Sequence, residues 1–241
     1  DESYQPKPSR REYIPKKNGK MRPLGIPSTE DKLLQEVVRM ILEAIYEGQF
    51  SDCSHGFRPQ RSCHTAMEQI SKSFCGAKWY IEGDIKGFFD NINHDVMIKI
   101  LEKRIGDSRF IRLIRKFLNA GYIEDWQYFK SYEGTPQGGI ISPILANIYL
   151  DQLDKYMEEY ASKFDKGVRK EVNKQYRHYQ RKKGRAKTAL KKAKTAEERN
   201  EALRLVKMYD GLMMVTPAKN EGDTNYKRLK YVRYADDFLC G

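Results

Sequence analysis

The chain has 241 residues, of which 39% are hydrophobic and 12% aromatic, enough to bury one sizeable core, alone or with a small subdomain. No apolar run approaches the roughly 20 residues of a transmembrane helix and no secretory signal opens the chain, so we expect no membrane partner. The formal net charge of +12 is localised, because residues 166–208 hold 16 Lys and Arg against 4 Asp and Glu.

The four cysteines show no CxxC pair, which favours free thiols in a reducing compartment. Cys53 with His55, and Cys63 with His64, fit no common zinc spacing, so we do not predict a zinc site there.

The N-terminal third predicts a lead, two strands and a helix. Residues 1–10 are polar and contain prolines, and EYIPKKNGKMRPLGIP predicts two strands around the Asn18-Gly19 turn. Ser28 to Asp31 resembles a helix N-terminal box. The apolar residues behind it follow helical spacing: Leu33, Leu34, Val37, Val38, Ile41, Leu42 and Ile45.

The rest of the chain alternates between helices and strands. SHGFRPQRSCHTAMEQI predicts a loop leading into a helix, and KWYIEGDIKGFFDNI predicts a strand followed by helices around Met97–Leu101 and Phe110–Leu118. A glycine-rich loop, EGTPQGG, leads to a helix after Pro143, and the basic segment predicts a helix between Thr188 and Met208. The pattern predicts an α+β fold with a small antiparallel sheet that carries acids and is backed by helices.

The basic segment contains RHYQRKKGRAKTALKKAK, in which Tyr176 and Tyr179 interleave with Arg and Lys. Such a segment attracts phosphate backbones and offers rings for stacking on bases. The alternative is a solvated helical hairpin that only keeps the protein soluble. The concentration of charge favours nucleic-acid contact.

Three acids lie within apolar strand contexts: Asp84 in YIEGDIKGFFD, and Asp236 with Asp237 in RYADDF. Buried like charges repel, so such a cluster favours a cation. Magnesium is a hard ion that suits carboxylates, waters and phosphates, and neighbouring acids could hold two ions about 3.5–4 Å apart. Other acids are interpreted as turn or cap residues: Asp90, Asp95 and Asp151.

The tetrapeptide YADD resembles the signature of reverse transcriptases, in the form common in bacterial group II intron-encoded proteins. RPLGIPSTEDKLLQEVV, SHGFRPQRSCHTA, GDIKGFFDNINH and TPQGGIISPILANIYLDQLD precede it in that family's order. The resemblance implies that Asp84 and Asp236 bind both magnesium ions, with Asp237 as the third catalytic acid.

The resemblance also implies a nucleotide site. Lys16 and Arg22 would hold the triphosphate, although exposed strands are often basic. Phe89 would exclude a 2'-hydroxyl, its alternative being core packing. Further dNTP-binding residues are implied at Gln137, under the nascent base pair, at Gly138, where backbone approaches the nucleotide, and at Ala235, under the primer end.

RNA contacts are expected from two regions. Arg58 and Arg61 would touch the template backbone, or would instead pin their own loop. The basic segment would contribute Tyr176, Arg177, Arg181, Lys182, Lys183 and Arg185.

The implied fold is that of the fingers and palm of a right-hand polymerase, with the thumb absent. The implied division is a lead at 1–13, fingers at 14–78, palm with part of the fingers at 79–154, a basic helical insertion at 155–228 and a truncated palm strand at 229–241. Without a thumb we expect weak or no polymerisation, and exposed palm surface would favour a homodimer.

The implied function is RNA-directed DNA synthesis from dNTPs on an RNA template and a DNA primer, with intron RNA binding for splicing and retrohoming, in the bacterial cytoplasm. The alternative is mainly an RNA-binding splicing cofactor, a maturase, in which polymerisation is secondary. An RNA-templated RNA polymerase is a third possibility, which Phe89 argues against.

Overall fold

The computed structural model describes residues 2–15, 19, 21–135 and 138–241. The chain forms two compact units, Asp1–Tyr160 with Lys230–Gly241, and Ala161–Leu229. The strands are β1 Ser9–Pro15, β2 Met21–Ile26, β3 Ile81–Asp84, β4 Tyr122–Glu124, β5 Gln127–Phe129, β6 Tyr231–Tyr234 and β7 Asp237–Cys240. The helices are α1 Thr29–Tyr46, α2 Cys63–Ser73, α3 His94–Glu102, α4 Ser108–Leu118, α5 Ser142–Phe164, α6 Lys174–Lys192 and α7 Ala196–Val215, with short 3-10 turns at Glu47–Gln49 and Phe88–Asp90.

Two small sheets confirm a mixed α/β fold. One has the strand order β2-β1-β4-β5, in which β1 and β4 pair in parallel and the other pairs are antiparallel. The other has the order β3-β7-β6 and is fully antiparallel. The expected small antiparallel sheet is the second one, since Asp84 and Asp237 lie in its strands.

The lead is shorter than expected, because β1 already begins at Ser9. The amide of Ser9 donates to the carbonyl of Gly121 at 3.1 Å, and Ser9 is buried. Ser9 also pairs with Tyr122 of β4, so strand structure extends into residues whose composition predicts an unstructured lead.

Helix α1 begins where the sequence predicts. The side chain of Ser28 accepts a hydrogen bond from the amide of Asp31 at 3.2 Å, which satisfies one of the free N–H groups at the helix start. Val38, Leu42 and Tyr46 face the core, and Leu34 and Ile45 pack against it. The other members of the predicted apolar set are exposed: Leu33, Val37 and Ile41.

The main core lies in the first unit, between α1, α3, α4 and α5. Its fully enclosed side chains include Leu42, Ile92, Met97, Leu101, Ile114, Leu118, Leu145 and Ile148. This core supports the three-stranded sheet from the side of α5, where Asp154 bonds Tyr231 of β6 at 2.9 Å.

The second unit is built on α6 and α7, which pack against each other. Ala186 and Ala202 are buried, and the Tyr179 and Tyr209 ring centroids lie 6.4 Å apart. The helix predicted between Thr188 and Met208 is wrong in its bounds, because α6 ends at Lys192 and a separate helix, α7, begins at Ala196. Thr195 then caps α7 by accepting from the amide of Glu198 at 3.2 Å.

All four cysteines are free, as predicted. Within residues 2–15, 19, 21–135 and 138–241, no helix is long and apolar enough to cross a membrane.

Candidate active site

The acids Asp236 and Asp237 are presented by a two-residue hairpin turn. Tyr234 pairs with Asp237, so that Ala235 and Asp236 form the turn between β6 and β7. Ala235 has a φ of +55°, a backbone conformation that an L-residue with a Cβ adopts only at a cost of about 1–2 kcal/mol. Ala235 is also buried, so surrounding contacts must hold this turn in place.

Strand β3 brings Asp84 to the same place. Asp84 pairs with Asp237 across the β3–β7 ladder, which puts both side chains on one face of the sheet. The amide of Ile85, the residue after Asp84, donates to the carbonyl of Asp236 at 3.3 Å. The backbone therefore brings together all three predicted acids.

A fourth acid shares this face. Glu82 lies two residues before Asp84, and alternate residues of a strand point to the same side. Partial burial and the negative charges of Asp236, Asp84 and Glu82 raise the pKa of Asp237. The arrangement has the electrostatics of a site that favours a cation.

The carboxylates do not converge. In the part of the chain that the structure describes, no three His, Cys, Asp or Glu side chains are close enough to hold a metal ion. The backbone brings Asp84, Asp236 and Asp237 together, so their side chains must rotate to share an ion.

The loop at 54–58 lies directly against the hairpin turn. A Cβ built on Gly56 would come within 2.3 Å of the Ala235 amide nitrogen, so only glycine fits there. The amide of His55 donates to the carbonyl of Arg233 at 2.9 Å, and the amide of Arg233 donates to the carbonyl of Cys53 at 2.8 Å.

The same loop reaches Phe89. The rings of Phe57 and Phe89 meet edge to face, with centroids 6.2 Å apart, and Phe57 has a φ of +56°. Phe89 is half-buried and also contacts Phe88, which belongs to the core. The carbonyl of Phe89 accepts a hydrogen bond from the amide of Thr135 at 2.7 Å, which fixes the start of the glycine-rich loop.

Gly138 packs against strand β2. It has a φ of +109°, and a Cβ there would lie 2.9 Å from the carbonyl oxygen of Gly25. Glycine is thus required by contact with the strand. Arg22 lies in β2 and is exposed. Lys16 and Gln137 lie outside the described residues.

Comparison with known families shows which family the chain belongs to. A family model described as "Reverse transcriptase (RNA-dependent DNA polymerase)" matches residues 14–180. The chain belongs to the reverse transcriptase family. The sequence-based resemblance is therefore confirmed.

Several relatives of this reverse transcriptase chain have names that refer to introns. The group II intron-encoded protein LtrA of Lactococcus lactis subsp. cremoris is 52% identical over 240 residues, covering 99% of this chain and 39% of LtrA. A 91 kDa protein in the cob intron of Schizosaccharomyces pombe is 48% identical, over 96% of this chain and 28% of that protein. Nuclear intron maturase 2 of Arabidopsis thaliana is 30% identical, over 59% of this chain and 25% of that protein.

The chain thus spans about two fifths of the length of LtrA. Among solved structures, a chain of a partial Cas6-RT-Cas1–Cas2 complex aligns with a TM-score of 0.37 at 18% identity, covering 89% of this chain and 41% of that chain. This similarity is too low to carry an argument.

In this reverse transcriptase chain, Arg58 pins its own loop. Its side chain is 5% exposed and donates to the carbonyls of Ser51 at 2.6 Å and Ser54 at 2.9 Å. It also forms an ion pair with Glu47. These contacts favour the loop-pinning alternative over contact with the template.

Arg61 is also engaged within the protein, since it pairs with Asp52 at 2.6 Å. A quarter of its side chain is exposed and Asp52 is almost fully exposed, so this is a surface ion pair that contributes little to stability.

The basic segment divides into two faces of α6. Tyr176 and Lys183 are half-buried, and Lys183 forms an ion pair with Asp210 of α7. The remaining predicted contacts are exposed: Arg177, Arg181, Lys182 and Arg185. These four lie on the exposed side of α6, whereas Tyr176 and Lys183 lie on its half-buried side.

Sequence reasoning missed Glu82 and the buried side chain of Arg233 in the reverse transcriptase hairpin. The two-residue spacing of Glu82 from Asp84 could have signalled a shared face. Nothing in the local sequence marks Arg233 as buried, because its partner Asp154 is 79 residues away.

Proposed function

We propose that this chain is the nucleotidyl-transfer region of an RNA-directed DNA polymerase encoded by a group II intron. The observation that carries the proposal is the pairing of Asp84 with Asp237 beside the Ala235–Asp236 turn. It is supported by 52% identity to LtrA, whose name describes a group II intron-encoded protein.

We assign magnesium to the carboxylates of Asp84 and Asp236, with Asp237 as the third acid. Oxygen donors of this kind suit a hard divalent cation, and the raised pKa of Asp237 indicates local negative charge that a cation would offset. When bound, magnesium would activate the primer hydroxyl and stabilise the leaving pyrophosphate.

The remaining residues bind and orient the substrates. Phe89 presents a ring beside the acid-bearing sheet, fixed by Phe57, and would exclude a ribose 2'-hydroxyl. Arg22, and Lys16 beyond the described residues, would hold the triphosphate of the dNTP. Gln137 would lie under the nascent base pair, Gly138 would let the backbone approach the nucleotide closely, and Ala235 would lie under the primer end. Base pairing with the RNA template selects the nucleotide, and positioning together with electrostatic stabilisation by the metal would supply most of the rate.

We assign the sheet that contains β1 and β2 to the fingers, and the three-stranded sheet to the palm. The second unit lies largely within the predicted basic insertion at 155–228. The divisions at 1–13, 14–78, 79–154 and 229–241 remain predictions, apart from the earlier start of β1. Homodimer formation and a cytoplasmic location also stay predictions.

We further propose that α6 binds intron RNA, which would give the chain a role in splicing. Arg177, Arg181 and Arg185 follow one another at four-residue spacing, so they form a stripe on the exposed face of the helix. Lys182 lies beside this stripe. A row of arginines suits the phosphates of folded RNA, whereas inward-facing Tyr176 is not placed for base stacking.

Primer extension tests the polymerase proposal: DNA synthesis on an RNA template should require dNTPs and magnesium, and should be lost in Asp236→Asn. If extension is absent while salt-sensitive RNA binding is retained, the splicing-cofactor alternative is favoured.

A further inference from the structure

The side chains of Arg233 and Asp154 are completely enclosed, with 0% of either exposed. Arg233 Nε donates to Asp154 Oδ1 at 2.8 Å and Nη2 donates to Oδ2 at 2.6 Å. This is a two-point interaction between strand β6 and helix α5, without competing water.

The remaining donors of Arg233 reach two other parts of the active site. Nη1 donates to the carbonyl of Ala235 at 2.8 Å, and Nη2 donates to Ser54 Oγ at 2.7 Å. A single guanidinium therefore binds the hairpin turn, the loop at 54–58 and α5 together.

Asn147 of α5 completes the arrangement. Its Oδ1 accepts from Arg233 Nη1 at 3.3 Å, and its Nδ2 donates to the carbonyl of Gly56 at 2.8 Å. Gly56 is the residue that touches Ala235. Helix α5 thus holds the turn through the guanidinium and through the loop that covers it.

Stability alone does not account for this ion pair. Burying two charges costs several kcal/mol per ion, and apolar residues of similar volume often stabilise a fold equally well. An apolar pair could not hold the carbonyl of Ala235, whose residue sits in a strained left-handed conformation. The fixed fork of five N–H groups in arginine makes the two-point interaction with Asp154 and still has donors for the turn and the loop, whereas the three donors of lysine share one nitrogen and cannot reproduce this set.

We propose that Arg233 is a positioning residue: anchored by Asp154, it fixes the Ala235 turn and thereby the orientation of Asp236 and Asp237. The inference rests on the proposed polymerase function for its consequence in catalysis. The structural part, selective ordering of the turn, is independent of that function.

The test compares the full chain with the double variant Arg233→Met/Asp154→Leu, which removes both charges while keeping side-chain volume. Tyr231→Phe is the matched control, because it removes a hydrogen bond to the same carboxylate at 2.9 Å without touching Ala235. Arg233→Lys is the second variant, in case the double variant does not fold.

Amide hydrogen exchange followed by NMR gives the first readout. The Ile85 amide reports on the turn through its bond to the Asp236 carbonyl, and the Leu145 amide, bonded to Ile141 at 3.1 Å, reports on α5. Exchange at Ile85 should rise at least about tenfold in the double variant and in Arg233→Lys, with little change at Leu145 or in Tyr231→Phe. Equal acceleration at both amides, or no change at Ile85, overturns the proposal.

Primer extension gives the second readout. The kcat of the double variant should fall by about 100-fold while KM for dNTP stays near that of the parent chain, since misplacement of catalytic groups by about 1 Å has this effect. A wild-type kcat in the double variant overturns the proposal. Absence of extension by the parent chain contradicts the proposed function instead, and the exchange measurement still decides the role of Arg233.

Discussion

Gly56 and Ala235 are in backbone contact, so close that a Cβ on Gly56 would lie 2.3 Å from the amide nitrogen and 2.9 Å from Cα of Ala235. The loop that contains Gly56 also carries Phe57, whose ring meets Phe89. One loop therefore contacts both the turn that presents the acids and the ring proposed to select the sugar.

Gly56→Ala should displace the turn. The added methyl group has no space beside the Ala235 backbone, so we expect a loss of about 1–3 kcal/mol in unfolding free energy and a large loss of primer extension. Gly48→Ala is the matched control, because nothing lies within 4 Å of the corresponding Cβ. Thermal unfolding and primer extension check both variants; equal behaviour of the two would contradict the contact.

Phe89→Ala should relax sugar selection. Removing the ring opens space where a 2'-hydroxyl would lie, so the preference for dNTP over rNTP should fall by roughly 10- to 100-fold. The ratio of kcat/KM values for dATP and ATP on the same primer–template checks this. Trp126→Ala, which removes an almost fully exposed ring, serves as control and should keep the parent ratio.

Neutralising the exposed stripe should reduce the salt dependence of RNA binding. For Arg181→Gln with Arg185→Gln, the slope of log K against log salt should fall by about 0.7–0.9 for each RNA phosphate that the variant no longer neutralises. Lys183→Gln is the comparison, because Lys183 pairs with Asp210 inside the hairpin. It should lower the melting temperature of the second unit and leave the slope nearly unchanged. A slope unaffected by the arginine variants would exclude the stripe as the RNA-binding surface.

His55 should make the fold sensitive to mild acid. Burial lowers the pKa of this imidazole, which lies between Thr65 at 2.8 Å and Gln69. Above pH of about 6.5, the ordinary pKa of histidine, His55 is neutral in both the folded and the unfolded chain. As the pH falls below this value, the unfolded chain takes up the proton before the folded chain does, so stability is lost as pH falls.

Melting temperatures between pH 7.5 and 5 check the role of His55. His55→Gln should flatten part of the decline, whereas His64→Gln, at an exposed position, should follow the parent curve. Parallel curves for all three proteins would show that His55 does not contribute.

Much of the fold follows from local sequence signals. Ser28 starts α1 as a side-chain cap, and Asp84 and Asp237 lie in strands of a small antiparallel sheet, as predicted. The β4–β5 hairpin was not predicted, because its turn residues Asp125 and Trp126 both have positive φ, and Trp is not a turn signal. Asp151 is neither a turn nor a cap residue: it is buried within α5 and bonds Lys155.

The acids of the candidate site were accessible from sequence because Asp84, Asp236 and Asp237 sit in short recognisable motifs. The residues that hold the hairpin turn in place could not be predicted in this way. Arg233 and Asp154 are far apart in the chain, and a basic residue in a strand ordinarily indicates exposure. Tertiary contact alone shows which arginines hold the protein together and which are available for RNA.

Incorporation of a single complementary dNTP onto a DNA primer annealed to RNA, with the protein in excess over primer, is the most direct test of the polymerase assignment. We expect slow one-nucleotide extension by the parent chain, in keeping with the weak polymerisation expected from its sequence. This extension should require magnesium and should be lost in Asp84→Asn and Asp236→Asn, with RNA affinity retained in both. Extension that survives in either variant would contradict the assignment of these acids, and its absence from the parent chain would contradict the proposed activity.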